Sequence, residues 1–385
     1  MFDFDKPVNR ENTGSIKWDA RQEMFGTKDV LPMWVADMDF AAPQCIVDAI
    51  KKRAAHPVYG YPLMTDNYFE AFMSWVKRRH GWDIEKEWIV FSPGIVTAVN
   101  AAVLAYSQPG EGVIVQPPVY FPFFNAIRHN NRKQLYNQLV YVDKTYSIDF
   151  DDLEEKARKA KIFLLSNPHN PVSRCWTKKE LLKIGEICLK NDIILISDEI
   201  HADLILPGYK HIPAASLSEK LSEITVTCMA PSKTFNVAGF FTSQIVIKNE
   251  TLRKKFISTM ETLHLVHGNI FGYVASEAGY NGGDTWLEAL MQYVAGNFKL
   301  VDHFLKTELP AVKLTTPEAT FLAWLDFSET GFSGKKLAEK IIKDAKLGLS
   351  PGRVFGPGGE NFMRMNLGTQ QANVKEALKR LKKAF

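Results

Sequence analysis

Thr225-Val-Thr-Cys-Met229, followed by Ala230-Pro-Ser-Lys-Thr-Phe-Asn-Val-Ala-Gly239, sets the architecture of this chain. The first five residues are β-rich and apolar, and the turn after them carries Lys233 between Ser232 and Thr234. Alone, a Ser-Lys pair reads as solvated surface, because lysine seldom gives up its hydration. Two upstream runs change that reading. Ile193-Ile-Leu-Ile-Ser197 ends in Asp198-Glu-Ile-His201, and Ile162-Phe-Leu-Leu-Ser166 ends in Asn167-Pro-His-Asn170-Pro171. Helical sequence from Thr177 to Lys190 separates them. Short apolar strands alternating with helices predict an α/β fold with a mainly parallel sheet covered on both faces. In such sheets ligands sit beyond the carboxyl ends of the strands. Asn170, Asp198 and Lys233 are therefore expected to converge on one pocket.

Working outward, Trp88-Ile-Val-Phe91 reads as a strand that runs through Ser92-Pro-Gly94 into a helix over Ile95–Tyr106. A glycine at a strand-to-helix turn lets backbone approach a ligand, and the free N–H groups of the first helical turn favour an anion. Gly94, Ile95 and Val96 are thus a candidate phosphate cradle, although the same pattern also suits a simple helix cap. The next strand, Val113–Val115, leads into Gln116-Pro-Pro-Val-Tyr120, where flanking prolines make Tyr120 a rigid loop aromatic suited to stacking on a flat ring. A strand is expected over Leu135–Tyr141 and a helix over Asp149–Ala160. Gln244–Lys248 follows Lys233 too closely for a helical crossover, so it is expected to be antiparallel. Beyond Pro310 the pattern changes. Ala319–Asp326 alternates like a half-exposed strand, helices are expected over Gly334–Ala345 and Gln371–Ala384, and Phe362–Leu367 reads as a last strand. Residues 1–48 are expected to form an arm and part of a small domain, 49–288 a large domain, and 289–385 the rest of a smaller α+β domain.

The chain has 385 residues, 46% apolar and 23% charged, which places it among globular proteins long enough for two domains. A net charge of +4 is spread over scattered lysines, with no basic stripe for nucleic acid. The four cysteines show neither metal-ligand nor disulfide-framework spacing, which suits free thiols in a reducing compartment. Met1-Phe-Asp-Phe-Asp-Lys6 has no apolar leader pattern, and no run approaches the roughly 20 apolar residues of a membrane span. A cytoplasmic protein is expected, with no metal, membrane or nucleic-acid partner.

As a set, Asn167-Pro-His-Asn-Pro171, Asp198-Glu-Ile-His201 and Ala230-Pro-Ser-Lys-Thr-Phe-Asn-Val-Ala-Gly239 resemble the signatures of fold-type I pyridoxal phosphate (PLP) enzymes. Their wording is most similar to bacterial C–S lyases of the cystathionine β-lyase/cysteine desulfhydrase group. The resemblance implies a seven-stranded large-domain sheet and a distinct residue role for each need of the cofactor. Lys233 would carry the cofactor and move the Cα proton, Asp198 would keep the pyridine nitrogen protonated, and Asn170 would donate to the phenolate oxygen. Tyr120 would stack on the ring, while Gly94, Ile95, Val96 and Ser232 would hold the phosphate. Tyr61 would reach the phosphate of a second subunit, making the active unit a homodimer. Arg364 would grip the substrate α-carboxylate, and Val35–Phe40 would border the pocket. Arg174 and His201 are read as structural support, as a pair or behind Asp198.

Two positions depart from wider patterns. Many aminotransferases of this fold carry an arginine where this chain has Phe241, as expected of the C–S lyase group. The glycine common before Arg174 is Ser173, which tolerates fewer backbone angles. The implied activity is β-elimination of L-cystathionine, L-cysteine or a related S-conjugate. An aminotransferase of the same fold and a PLP-bound regulatory protein remain the alternatives.

Overall fold

The computed structural model describes residues 2–385. Its largest sheet has seven strands: β1 (Ile89–Ser92), β2 (Gly112–Val115), β3 (Lys133–Tyr136), β4 (Ala160–Ser166), β5 (Ile194–Asp198), β6 (Thr225–Met229) and β7 (Ser243–Val246). They lie in the order β1-β7-β6-β5-β4-β2-β3. Only β7 runs against the rest, pairing antiparallel with β1 and β6. This is the expected α/β arrangement. The central strands are apolar almost without interruption because helices cover both faces, so alternation would waste a buried side. On one face, the Ile95–Tyr106 helix packs Ala98, Val99 and Ala102 against Val113, Ile196 and Val226. On the other, the Lys178–Lys190 helix sets Leu181, Ile184 and Ile187 against Phe163 and Leu195. That helix starts where Thr177 and Glu180 form a reciprocal capping box.

A second, four-stranded antiparallel sheet contains β8 (Lys313–Leu314), β9 (Leu322–Asp326), β10 (Ser350–Pro351) and β11 (Phe362–Asn366), in the order β8-β9-β11-β10. A 25-residue helix, Asp284–Glu308, leads from the large sheet to the small one. Leu31–Pro32 pairs in parallel with Leu347–Gly348 and attaches the N-terminal arm to this half.

Three local expectations require correction. The run Leu135–Tyr141 is not one strand: β3 ends at Tyr136, and Val140–Val142 pairs instead with Thr145–Ser147. Fully buried Asn137 separates the two, accepting from Gln116 (2.9 Å) and donating to the Asp149 carbonyl (2.8 Å) and Asp152 (2.9 Å). Second, β9 is not half-exposed. Trp324 stacks on Phe362 at 5.1 Å, while Ala323 and Leu325 join Leu337, Ile341 and Leu378, so both faces are covered. Third, Lys233 sits in a one-turn helix, Pro231–Thr234, rather than an open turn. Proline at its first position carries no N–H to leave unpaired.

Candidate active site

Strand ends of the large sheet surround a cavity of about 260 Å³. The loop after β1 contributes Gly94, Ile95 and Val96; that after β2, Tyr120; that after β4, Asn170. Asp198 closes β5, and Ser232 and Lys233 follow β6. Eight of the expected residues therefore line one space. Arg364 comes from β11 in the small sheet and joins them through Asn170, whose side-chain oxygen accepts from Arg364 Nη1 at 3.0 Å. Tyr61 is not brought in: its side chain is fully exposed and does not line the cavity of its own chain.

The buried charges explain one another. The Lys233 amine is lowered to about 8, by burial first and by Arg364, against the opposing pull of Asp37 and Asp198. Burial pushes the Asp198 carboxyl up to about 7, and the neighbouring Glu199 adds to that rise. A backbone N–H from Ile200 at 3.1 Å and the Lys233 charge oppose it. Burial lowers the Arg364 guanidinium to about 10, and its Nε has no hydrogen-bond partner. Its fork also donates to the Trp34 carbonyl (2.9 Å), and its cation lies 4.8 Å over the Phe355 ring. Tyr120 is held above its ordinary phenol range by burial and by Asp198.

Further residues line the cavity beyond those expected to touch cofactor or substrate. His201 lines the space as a neutral imidazole, lowered to about 3 by burial and then by Lys233 and Arg364, with Nδ1 unpartnered. Its only sequence signal was its place three residues after Asp198. Thr242 also lines the cavity with a buried, unpartnered hydroxyl, and nothing in its sequence context announced it. Of the two arrangements expected for Arg174 and His201, a pair or support behind Asp198, the pair is not formed. Arg174 instead donates to Glu318 and Glu180, both at 3.0 Å, and lies over the Trp176 ring. Ser173 adopts φ +59°, the left-handed region that favours glycine, and its hydroxyl donates to the Leu322 carbonyl at 2.7 Å. Phe241 also has positive φ, lines the cavity and is largely exposed. Among the described residues lining the cavity, Lys233 is the only lysine or arginine.

This donor set fits an anionic, ring-bearing group. Gly94 is extended, and a Cβ there would meet nothing within 4 Å, so backbone is open to the cavity at the start of the Ile95–Tyr106 helix. The Thr242 hydroxyl is a buried polar group still lacking a partner. Asp198, with one backbone donor, suits a cationic nitrogen.

The chain is 46% identical to the cystathionine beta-lyase PatB of Bacillus subtilis (strain 168), over 100% of both chains. Cystalysin from Treponema denticola, a structure containing pyridoxal 5'-phosphate, superposes with a TM-score of 0.97 at 39% identity, over 100% of this chain and 98% of that one. The PLP-bound C–S lyase from Staphylococcus hominis gives a TM-score of 0.92 at 34% identity, with the same coverage. The pattern of the aminotransferase class I and II family matches residues 28–381, and this chain is a member of that family.

Proposed function

We propose that this protein is a PLP-dependent carbon–sulfur β-lyase acting on L-cystathionine, L-cysteine or a related cysteine S-conjugate. The observation that carries the reading is the meeting of the Lys233 amine, lowered to about 8, with the Asp198 carboxyl at the strand ends of one cavity. The names of its full-length relatives support it. PLP, when bound, supplies an electron sink for negative charge developing at the substrate Cα.

Each residue then has a defined task. Lys233, neutral in part near pH 8, takes the proton from Cα. Asp198 would hold the cofactor's ring nitrogen protonated, and a cation there would favour the charged form of its carboxyl. Tyr120 and Asn170, both lining the cavity, would hold the cofactor, the first by stacking and the second by donating a hydrogen bond. The backbone at Gly94, Ile95 and Val96, with the Ser232 hydroxyl, holds the phosphate by neutral donors, since Phe241 brings no charge. Arg364, already forked toward Asn170 and Trp34, binds the α-carboxylate. Loss of the Cα proton and departure of a thiolate from Cβ leave a three-carbon fragment that water converts to pyruvate and ammonia.

We also propose a homodimer in which Tyr61 serves the partner's site, supported by its full exposure beside exposed Val58, Tyr59 and Leu63. The domain limits 1–48, 49–288 and 289–385 belong to the same reading. All strands of the large sheet fall within the second span and all strands of the four-stranded sheet within the third.

The deciding experiment incubates the PLP-loaded enzyme with L-cystathionine or L-cysteine and no keto acid. Pyruvate and thiol should appear in equal amounts, and Lys233→Ala should lose nearly all turnover. Faster transamination of L-aspartate than thiol release would select the aminotransferase instead.

A further inference from the structure

Residues 34–40 are neither helix nor strand, yet all seven of their carbonyls accept from side chains: Arg364 on Trp34, Asn366 on Val35 and Asp37, Lys233 on Ala36, Arg10 and Asn236 on Met38, Gln370 on Asp39, and Asn236 on Phe40. Lys233 Nζ donates to the Ala36 carbonyl at 2.5 Å. The next residue, Asp37, favours the protonated amine more strongly than Asp198 does.

Two cations of the N-terminal arm fix that carboxylate and its neighbour. Arg10 forks onto Asp37 at 2.7 and 3.2 Å and reaches Asp39 at 2.8 Å. Lys17, fully buried, meets the other Asp39 oxygen at 2.7 Å. Neither cation lines the cavity. Lys17 and Asp39 form a buried pair, and removing one would strand the other, while Arg10 ties the half-buried Asp37 to that pair by several bonds.

We propose that Arg10 and Lys17 are positioning residues for Lys233, holding the 34–40 segment so that the Ala36 carbonyl and the Asp37 carboxylate stay in place to receive the lysine amine whenever it is free of the cofactor. The inference rests on the reading of Lys233 as the reacting amine. The groups facing that amine are Asp37 and the Ala36 carbonyl from the 34–40 segment, Asp198 from β5, Arg364 from β11, and neutral His201 and Tyr120 from their loops. Only the first two are held by the arm.

The test labels the full-length, cofactor-stripped protein with acetic anhydride across pH and quantifies modification at Lys233 by peptide mass spectrometry. The wild-type midpoint should lie near 8. Asp37→Asn should move it down by about one pH unit, which is about tenfold more neutral amine at a fixed acidic pH. Arg10→Lys, which keeps a cation beside Asp37 but loses the two-pronged grip, should also move it down, by less. Asp37→Asn keeps the side-chain shape and carries the test if Arg10→Lys fails to fold. Glu11→Gln, which breaks the neighbouring Arg21–Glu11 pair in the same arm, should leave the midpoint in place. In the loaded enzyme the acid limb of kcat should move with the midpoint. Unmoved midpoints in both variants, or an equal shift in Glu11→Gln, would overturn the proposal and leave the arm as cover. Retained turnover in Lys233→Ala would overturn the underlying reading instead.

Discussion

Asp198 meets opposite demands in the empty and the loaded protein. Without a cationic ring nitrogen, its folded-state value near 7 lies above the 3.8 of an ordinary aspartate. Between those values the folded chain keeps a proton that the unfolded chain has released, so stability falls as pH rises from about 4 to about 7. Asp198→Asn removes that cost. The cofactor-free variant should melt higher than wild type at pH 8, by an amount on the order of 2–4 kcal/mol at most, with the gap closing toward pH 4. The same variant, loaded, should lose turnover by about 10²–10⁴-fold, because an amide cannot sustain the ring cation. Comparison of calorimetric melts with steady-state rates checks both signs. Arg364→Lys should raise KM for the amino acid at least about tenfold, since an ammonium cannot reproduce two parallel hydrogen bonds; initial-rate kinetics would show it. Lys233, Asp198 and Asn170 were legible in the sequence because each stands where an apolar run stops. Thr242 was not, because what marks it is a missing partner, and pairing is decided by neighbours distant in the chain.

At the scale of the element, the loop from Ser166 to Arg174 carries Asn170 and is closed against β9 by one residue. Ser173 keeps a left-handed backbone that serine tolerates at a cost of about 1–2 kcal/mol, and its hydroxyl offsets part of this through the Leu322 carbonyl and the Thr320 hydroxyl. Ser173→Ala retains the strain and loses the bonds, so it should destabilise by about 1–2 kcal/mol. Ser173→Gly relaxes the backbone while losing the same bonds and should lie near neutral. Thermal melts that ranked glycine below alanine would contradict this balance. Strand existence and order were readable from apolar runs and their spacing. The break at Asn137 was not, because a single asparagine within an apolar run gives no sign that two separate segments will bind it. Nor did the alternation in 319–326 show that Trp324 would be roofed by Phe362, since period 2 describes the strand and not what lies above it.

At the scale of the whole molecule, a site shared between two chains makes inactive variants complementary. Lys233→Ala and Tyr61→Ala should each be nearly inactive alone. Refolded together in equal amounts, half the dimers are mixed, and each mixed dimer holds one site with both residues intact, so about a quarter of wild-type activity should return. No recovery on mixing would mean that Tyr61 does not serve a partner. The segment 34–40 carries a different consequence, one of timing. Its carbonyls are claimed by Arg10 near the start of the chain and by Asn366 and Gln370 near its end. During synthesis the segment emerges before either sheet exists, while Asn366 and Gln370 emerge only as β11, the last strand of the smaller sheet, is completed. The carbonyl that receives Lys233 therefore cannot be set in place until both sheets have been made, and the reactive amine of a chain stopped short of β11 has nowhere to dock.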